Sequence, residues 1–382
     1  MSIPAEAFAQ CGNLSTVTIP ETVISIGSGA FNFCRSLTSI SLPSGLIEIG
    51  ENAFNRSESL TTLSIPPLVN SIGESAFLWS GLESLIFEDS PTAIQDLAFS
   101  NCFHLTTVSL GGRVTEIGDS SFLGCTQLQS VTVPDSVSSM GVGAFTNCQA
   151  LEVVSLGGGL ETPLSLRFGR CPSLRHIEVS PENSIYRSID GAVYTKDGRT
   201  LLCVPQSYPG PDFFAFQDLR EIGARAFDQN TTLGRVHLPS GLSLISDKAF
   251  QNISAPLKVY FTGSAPTIGL AIFEDSSDEI VIAISPASQG FGATFEGRTV
   301  VMETFEIPPP VLQPPFVEGG VLVIPFRYSG LGSNLTLYNS SDLVTWIPVN
   351  EVMVDGQNFR VPFSGQVLLE KGFFQAGAIE PQ

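Results

Sequence analysis

The sequence predicts a mainly β solenoid of short parallel strands in 23-residue coils, followed by a small antiparallel β-sandwich. Three observations carry this expectation. Phe recurs at Phe8, Phe31, Phe54, Phe77, Phe99, Phe122, Phe145 and Phe168, at steps of 23 residues with one of 22, and again at Phe227, Phe250 and Phe273. Ile-Gly pairs beginning at Ile26, Ile49, Ile72, Ile117, Ile222 and Ile268 keep the same beat. Short alternating runs such as Leu128-x-x-Val131-x-Val133-Pro134 close each unit. A constant period of this length belongs to a coil whose turns bury their apolar side only against their neighbours.

Each part of the unit has a physical reading. In Leu37-x-x-Ile40-x-Leu42-Pro43, alternation points Ile40 and Leu42 inward and Ser41 outward. Pro43 cannot donate to a ladder, so the strand ends there. Leu46-x-x-Ile49-Gly50 is a second inward segment, with Gly50 expected to permit the bend after it. Ala53-Phe54 is expected on a helical or 3₁₀ turn, with Phe54 plugging the coil. A column of such plugs accounts for 27 Phe beside 2 Trp and 6 Tyr.

The units Ile19 to Leu42 and Val114 to Val133 resemble the BspA-type leucine-rich repeats, which read Ile-Pro-x-x-Val-x-x-Ile-Gly-x-x-Ala-Phe-x-x-Cys-x-x-Leu-x-x-Val-x-Leu. The resemblance covers residues 1 to about 302. It implies a leucine-rich-repeat solenoid, an extracellular or cell-surface setting, and adhesion or host and matrix binding. Fold likeness alone does not identify a ligand.

Residues 1–303 form the expected solenoid. Ile94-Gln95 replaces Ile-Gly in the short unit, and Leu160 to Phe168 loses both signatures. The 59 residues between Phe168 and Phe227 leave room for an insertion near 180–216. Ile189 to Tyr194 and Arg199 to Val204 read as two strands joined by a Lys196-Asp197-Gly198 turn. The run Phe213 to Phe216 reads as core. Near 280–303, a strand Ile280 to Ile284, a short helix Pro286 to Gly297 and a closing strand Arg298 to Glu303 would cap the open edge. Residues 304–315, with Pro308-Pro309-Pro310 and Pro314-Pro315, read as a stiff linker. Residues 316–382 read as the β-sandwich module, with strands Gly320 to Phe326, Leu335 to Tyr338, Thr345 to Val349 and Gln366 to Leu369. Its Ser341 to Trp346 stretch resembles a motif of small C-terminal β modules on bacterial surface proteins, with Trp346 as core anchor.

The net charge of −19 argues against nucleic acid, whose phosphates would be repelled, and suits a basic or neutral partner. Without a run of about 18 apolar residues, no membrane insertion is expected. Cys11, Cys34, Cys102, Cys125, Cys148 and Cys171 hold one repeat position and are expected as free, buried thiols. Met1-Ser2-Ile3-Pro4 enters in mid-repeat, without a signal peptide or polar capping unit, so the chain reads as a fragment or as lacking its start. A monomer is expected.

Catalytic and metal-ligand constellations are not evident. His104, His176 and His237 stand apart from the spacings that bind metal, and no nucleophile elbow or phosphate loop occurs. Acidic clusters at Glu88-Asp89 and at Glu274-Asp275 with Asp278-Glu279 do not match an EF-hand loop. Six Asn-x-Ser/Thr sites would matter only in a glycosylating route. No catalytic, cofactor or metal residue is assigned, and no cofactor is expected. The outward strand positions are more informative. They run Thr18, Ser41, Ser64, Ile86, Ser109, Thr132, Ser155, Glu178. Charged and imidazole groups then gather at Glu152, Arg175, His176, Glu178, Arg235 and His237, the candidate ligand contacts. The expected function is a non-enzymatic binding or adhesion protein that presents its solenoid face to a protein or glycan. The alternative is a structural spacer within a larger surface protein.

Overall fold

The computed structural model describes residues 1–163 and 168–304, and after them the backbone of strands between 311 and 378. The solenoid is mainly β, with no helix among the described residues, and winds about twelve coils of about 23 residues. From the first coil to the one that carries Phe145, each coil contributes to three stacked ladders. The longer strands, such as Thr62–Ile65 and Ser84–Phe87, pair in parallel with a constant register. The two-residue strands Ser2–Ile3, Ser25–Ile26, Glu48–Ile49, Ser71–Ile72, Ala93–Ile94, Glu116–Ile117 and Ser139–Met140 form a second parallel sheet. The Phe-bearing turns form the third.

That third ladder replaces the expected helical turn. In the Gly50 to Ser57 stretch, Ala53, Asn55 and Ser57 donate N–H to residues three back, while Asn52, Phe54 and Arg56 donate to carbonyls of the next coil. The alternation needs a left-handed residue on each side of the Phe. Two before it stand Glu6, Gly29, Asn52, Ser75, Leu97, Ser120 and Gly143, and two after it Gln10, Phe33, Arg56, Trp79, Asn101, Gly124 and Asn147, all at positive φ. For a residue other than Gly, Asn or Asp that backbone costs roughly 1–2 kcal/mol.

The Phe column holds as expected. From Phe8 to Phe145 the rings stack at 5.0–5.3 Å, within about 11° of parallel, and Phe31, Phe54, Phe122 and Phe145 are fully buried in one core. Phe168 continues the column at 6.1 Å. A second core begins at the insertion, where Phe213 meets Phe227 edge-on at 5.2 Å before Phe250 restores the stack at 4.6 Å.

Gly50 has a different role from the expected one. Its φ is not left-handed; a Cβ there would lie 2.7 Å from Ser28 N and 2.8 Å from Gly27 C. The motif glycines let one coil's backbone approach the next. Gln95 and Ser246 carry a Cβ at the corresponding place in two coils, so this requirement is set coil by coil.

Cys34, Cys102, Cys125, Cys148 and Cys171 are buried free thiols, each donating S–H to the Phe carbonyl of the preceding coil at 3.1–3.3 Å. Ser57 Oγ does the same to Phe31 O. Burial pushes the Cys102 thiol up to about 12, where an ordinary thiol titrates near 8.5. Cys11, expected to be buried with the others, is instead exposed in the first coil, where no preceding coil covers it. Iodoacetamide at pH 8 is expected to alkylate it in the native protein. Cys102, Cys125, Cys148 and Cys171 should react only after unfolding, as read by peptide mass spectrometry. Native labelling of these four would refute their burial.

The insertion differs in detail from the expected two strands. Tyr186–Ile189 turns at Asp190-Gly191, both at positive φ, into Ala192–Thr195, which pairs antiparallel with Thr200–Cys203. Ile189 to Tyr194 is therefore not one strand as expected, because its Asp-Gly is a two-residue hairpin turn. Of the aromatic run, Phe213, Ala215 and Phe216 are buried as expected, and Phe214 faces outward. The expected helix at Pro286 to Gly297 is absent. Gly290, at a φ of 82°, and Gly292 interrupt it, and Thr294–Phe295 instead pairs antiparallel with Arg298–Met302 to cover the sheet edge. Phe291 and Phe295 pack on Phe261 at 5.2 and 5.7 Å.

The strands described after 310 pair antiparallel. Val321–Arg327 lies among Val311–Leu312, Phe316–Glu318 and Asn358–Pro362, and Leu335–Ser340 pairs with Ile347–Pro348 and Phe373–Ala378. The prolines at 308–310 and 314–315, Trp346 and the expected strand Gln366 to Leu369 lie outside the described residues.

Candidate functional site

The strand ladder presents two files of outward side chains. One runs Thr16, Ser39, Thr62, Ser84, Thr107, Ser130; the other Thr18, Ser41, Ser64, Ile86, Ser109, Thr132, Ser155. In-register pairing sets equivalent hydroxyls about 4.8 Å apart along the axis. The face holds shallow hollows, one lined by Ser41, Ser64, Ile86 and Glu88 and another by Thr132, Asp135, Ser155 and Glu178.

Beyond Ser155 the files change chemistry. Val153 pairs in register with His176, and Ser155 with Glu178. Arg175 Nη2 reaches Glu152 Oε2 at 2.7 Å, and His176 Nε2 lies 3.6 Å from Glu178 Oε1. The His176 ring rests on the hairpin, where a Cβ on Gly191 would come within 2.5 Å of Nδ1. Gly191 O also accepts a hydrogen bond from Ile177 N. The four candidates Glu152, Arg175, His176 and Glu178 thus form one patch beside the hairpin. Exposed pairs of this kind contribute at most about 1 kcal/mol, so their charges stay available to a partner.

Arg235 and His237 lie in the next sheet, which starts at Asp212–Phe214. Arg235 Nη2 pairs with Asp212 Oδ2 at 2.7 Å, and His237 Nε2 stands 3.4 Å from Asp212 Oδ1. The His237 ring is stacked between Phe214 at 4.4 Å and Tyr260 at 4.7 Å, and its side chain is 12% exposed. Burial draws its pKa below the ordinary value, against the Asp212 contact, which raises it. His237 therefore belongs to the packing of this patch, and Arg235 to its accessible part. The structure places the six candidates in two patches in separate sheets.

Asp212, Phe214, Lys258 and Tyr260, which complete the second patch, are absent from the sequence-derived candidates. The period could have found them: Asp212 and Arg235, and Phe214, His237 and Tyr260, are each 23 residues apart. Lys258 Nζ pairs with Glu303 Oε1 at 2.8 Å, which raises its pKa. The acidic clusters are also engaged: Glu274 with Lys248 and Gln251, Asp278 with Arg298, Glu88 with Ser64. Among the described residues no three His, Cys, Asp or Glu converge as a metal site, and no helix is long and apolar enough to cross a membrane.

Solved structures similar to this chain are bacterial leucine-rich repeat proteins. One from Eubacterium ventriosum is 19% identical over 72% of this chain and 68% of that chain, with a TM-score of 0.46. One from Bacteroides ovatus is 19% identical over 80% and 88%, with a TM-score of 0.42. A leucine rich cell surface protein from Faecalibacterium prausnitzii is 23% identical over 74% and 72%, with a TM-score of 0.38. No curated protein matches the chain. The model of the BspA type leucine rich repeat region matches six copies, over residues 1–115, 70–190 and 212–312. Most of the chain is thus covered, and the protein belongs to the BspA-type leucine-rich repeat family.

Proposed function

We propose that this protein is a non-enzymatic adhesion or binding protein that presents its solenoid face to a protein or glycan at a cell surface. The family suggests a binding or adhesion role, and its repeats are typically non-enzymatic. The observation that carries the reading is the change along the strand face. Files of hydroxyls, a solvated β surface, give way to the patch Glu152, Arg175, His176, Glu178 beside a hairpin, and to Arg235 with Asp212. A rigid coil holds such groups without loss of backbone freedom on binding, which favours recognition over an extended area.

Solid-phase binding to matrix proteins and a glycan array tests the reading. Replacing Arg175, His176, Glu178 and Arg235 together by Ser should weaken binding at least tenfold and leave the circular dichroism melt near wild type. His237 is left in place because it packs between two rings. Unchanged binding would rule out these patches as the contact.

A further inference from the structure

We propose that the turn side of the early coils carries a second recognition site, for a carboxylated oligosaccharide of the uronic- or sialic-acid type. It is independent of the strand face. The residues two after the stacked Phe in three successive coils are Phe33, Arg56 and Trp79, and the residues four after are Arg35, Glu58 and Gly81, then Phe103 in the next coil. Arg56 lies over the Phe33 ring at 5.6 Å and over Trp79 at 5.1 Å; Arg35 lies over Phe33 at 5.6 Å; Trp79 meets Phe103 edge-on at 5.1 Å. Trp79 and Phe103 are each 37% exposed.

Two further observations mark this cluster. Arg35, Arg56 and Arg113 are the Lys and Arg residues of positions 1–150, and two of them converge here. Phe33, Arg56 and Trp79 sit on left-handed backbone, where the following coils use Asn101, Gly124 and Asn147. Gln10, Arg170 and Gln229 also hold this position, so the turn does not demand Asn or Gly. What distinguishes Phe33, Arg56 and Trp79 is that they pack on one another across three coils and leave Trp79 exposed.

The neighbouring chemistry selects the ligand. Phe103 borders an open hollow lined by Glu83, His104, Thr106, Thr126 and Gln127. These are hydrogen-bonding groups around one exposed ring, suited to hydroxyls on one side and C–H groups on the other. Thr106 and Thr126 already donate to Glu83 O and Phe103 O, which leaves their oxygens as acceptors. The hollow offers no enclosed apolar slot for a peptide side chain. Arg35 and Arg56 stand 3.7 and 4.0 Å from Glu58 with no hydrogen bond to it. A ligand carboxylate therefore competes with Glu58 for their donors and is favoured only at this local pair of cations, against the chain's net charge of −19. Gly81 is buried against the preceding coil, where a Cβ would strike Glu58 O at 2.0 Å, so it adds no side chain to this surface.

Trp79 and Trp346 are the two Trp of the chain, so full-length Trp346→Phe makes Trp79 the reporter. Titration with oligogalacturonate and with sialyllactose should give a saturable change in Trp79 emission with at least one of them. The neutral methyl ester or desialylated sugar should give none. Arg35→Gln with Arg56→Gln should weaken the response at least tenfold, as should Arg35→Gln with His104→Ala, a pair of exposed positions that spares the fold. No saturable response to either acidic sugar overturns the proposal. So does equal binding of the neutral sugars or of the Arg35→Gln, His104→Ala variant, or a response confined to an acidic peptide control.

Discussion

Replacing Phe99 by Ala is expected to lower the unfolding free energy by about 3–5 kcal/mol, the cost of emptying a large aromatic site in a packed core. Phe99 is fully buried, stacked on Phe77 at 5.2 Å and Phe122 at 5.3 Å, with Phe87 edge-on at 6.3 Å. The truncation leaves a void and removes ring contacts on both sides, each worth about 0.5–1.5 kcal/mol beyond area. In a coil stabilised by nearest neighbours, a lesion between interior coils weakens both interfaces it touches. Phe8→Ala is the control. Its ring is 38% exposed and stacks on one partner, Phe31, so the loss should be well under half as large. Guanidinium unfolding followed by circular dichroism measures both. Equal losses would mean that the Phe column does not couple the coils.

The fold was legible because one interval governs it. A fixed step from Phe31 to Phe54 to Phe77 can be satisfied only by in-register stacking, and the alternation around Ile40 and Leu42 orients the strand without reference to anything distant. The turns were less legible. Phe33, Arg56, Trp79 and Leu97 are poor left-handed residues, so local preference gave no sign of the αL–Phe–αL pattern that the inter-coil hydrogen bonds impose. The cap failed as a helix for a local reason that the glycines at 290 and 292 already carried. The candidate site was legible as charges on a strand face but not as two patches. The break depends on where the hairpin tip Gly191 docks against Ile177, a contact between residues without periodic relation. The turn-side cluster escaped because it needs two columns read together, the residues two and four after each Phe.

Gly73→Ala is expected to be strongly destabilising, at or above the upper end of the ~1–3 kcal/mol usual for overpacking. The added Cβ would lie 2.5 Å from Glu51 N, 2.7 Å from Gly50 C and 2.9 Å from Glu51 Cα. All three are backbone atoms of the preceding coil, and no rotamer change relieves the clash. The coils must separate instead, which strains the Gly73 N–H bond to Ile49 O, 2.8 Å long, and the neighbouring pairs Ser71 with Glu48 and Ile72 with Ile49. Gly12→Ala supplies the opposite sign. Nothing lies within 4 Å of where its new methyl group would sit and its φ is not left-handed, so loss of unfolded-state freedom should stabilise by about 0.4–1 kcal/mol. If the motif glycine served only to bend the chain, Gly73→Ala would behave like Gly12→Ala, because its φ suits alanine. Opposite shifts of the denaturation midpoint therefore separate close approach from bending. The same result would explain why Ile-Gly, rather than Ile followed by any flexible residue, keeps the beat of the coil.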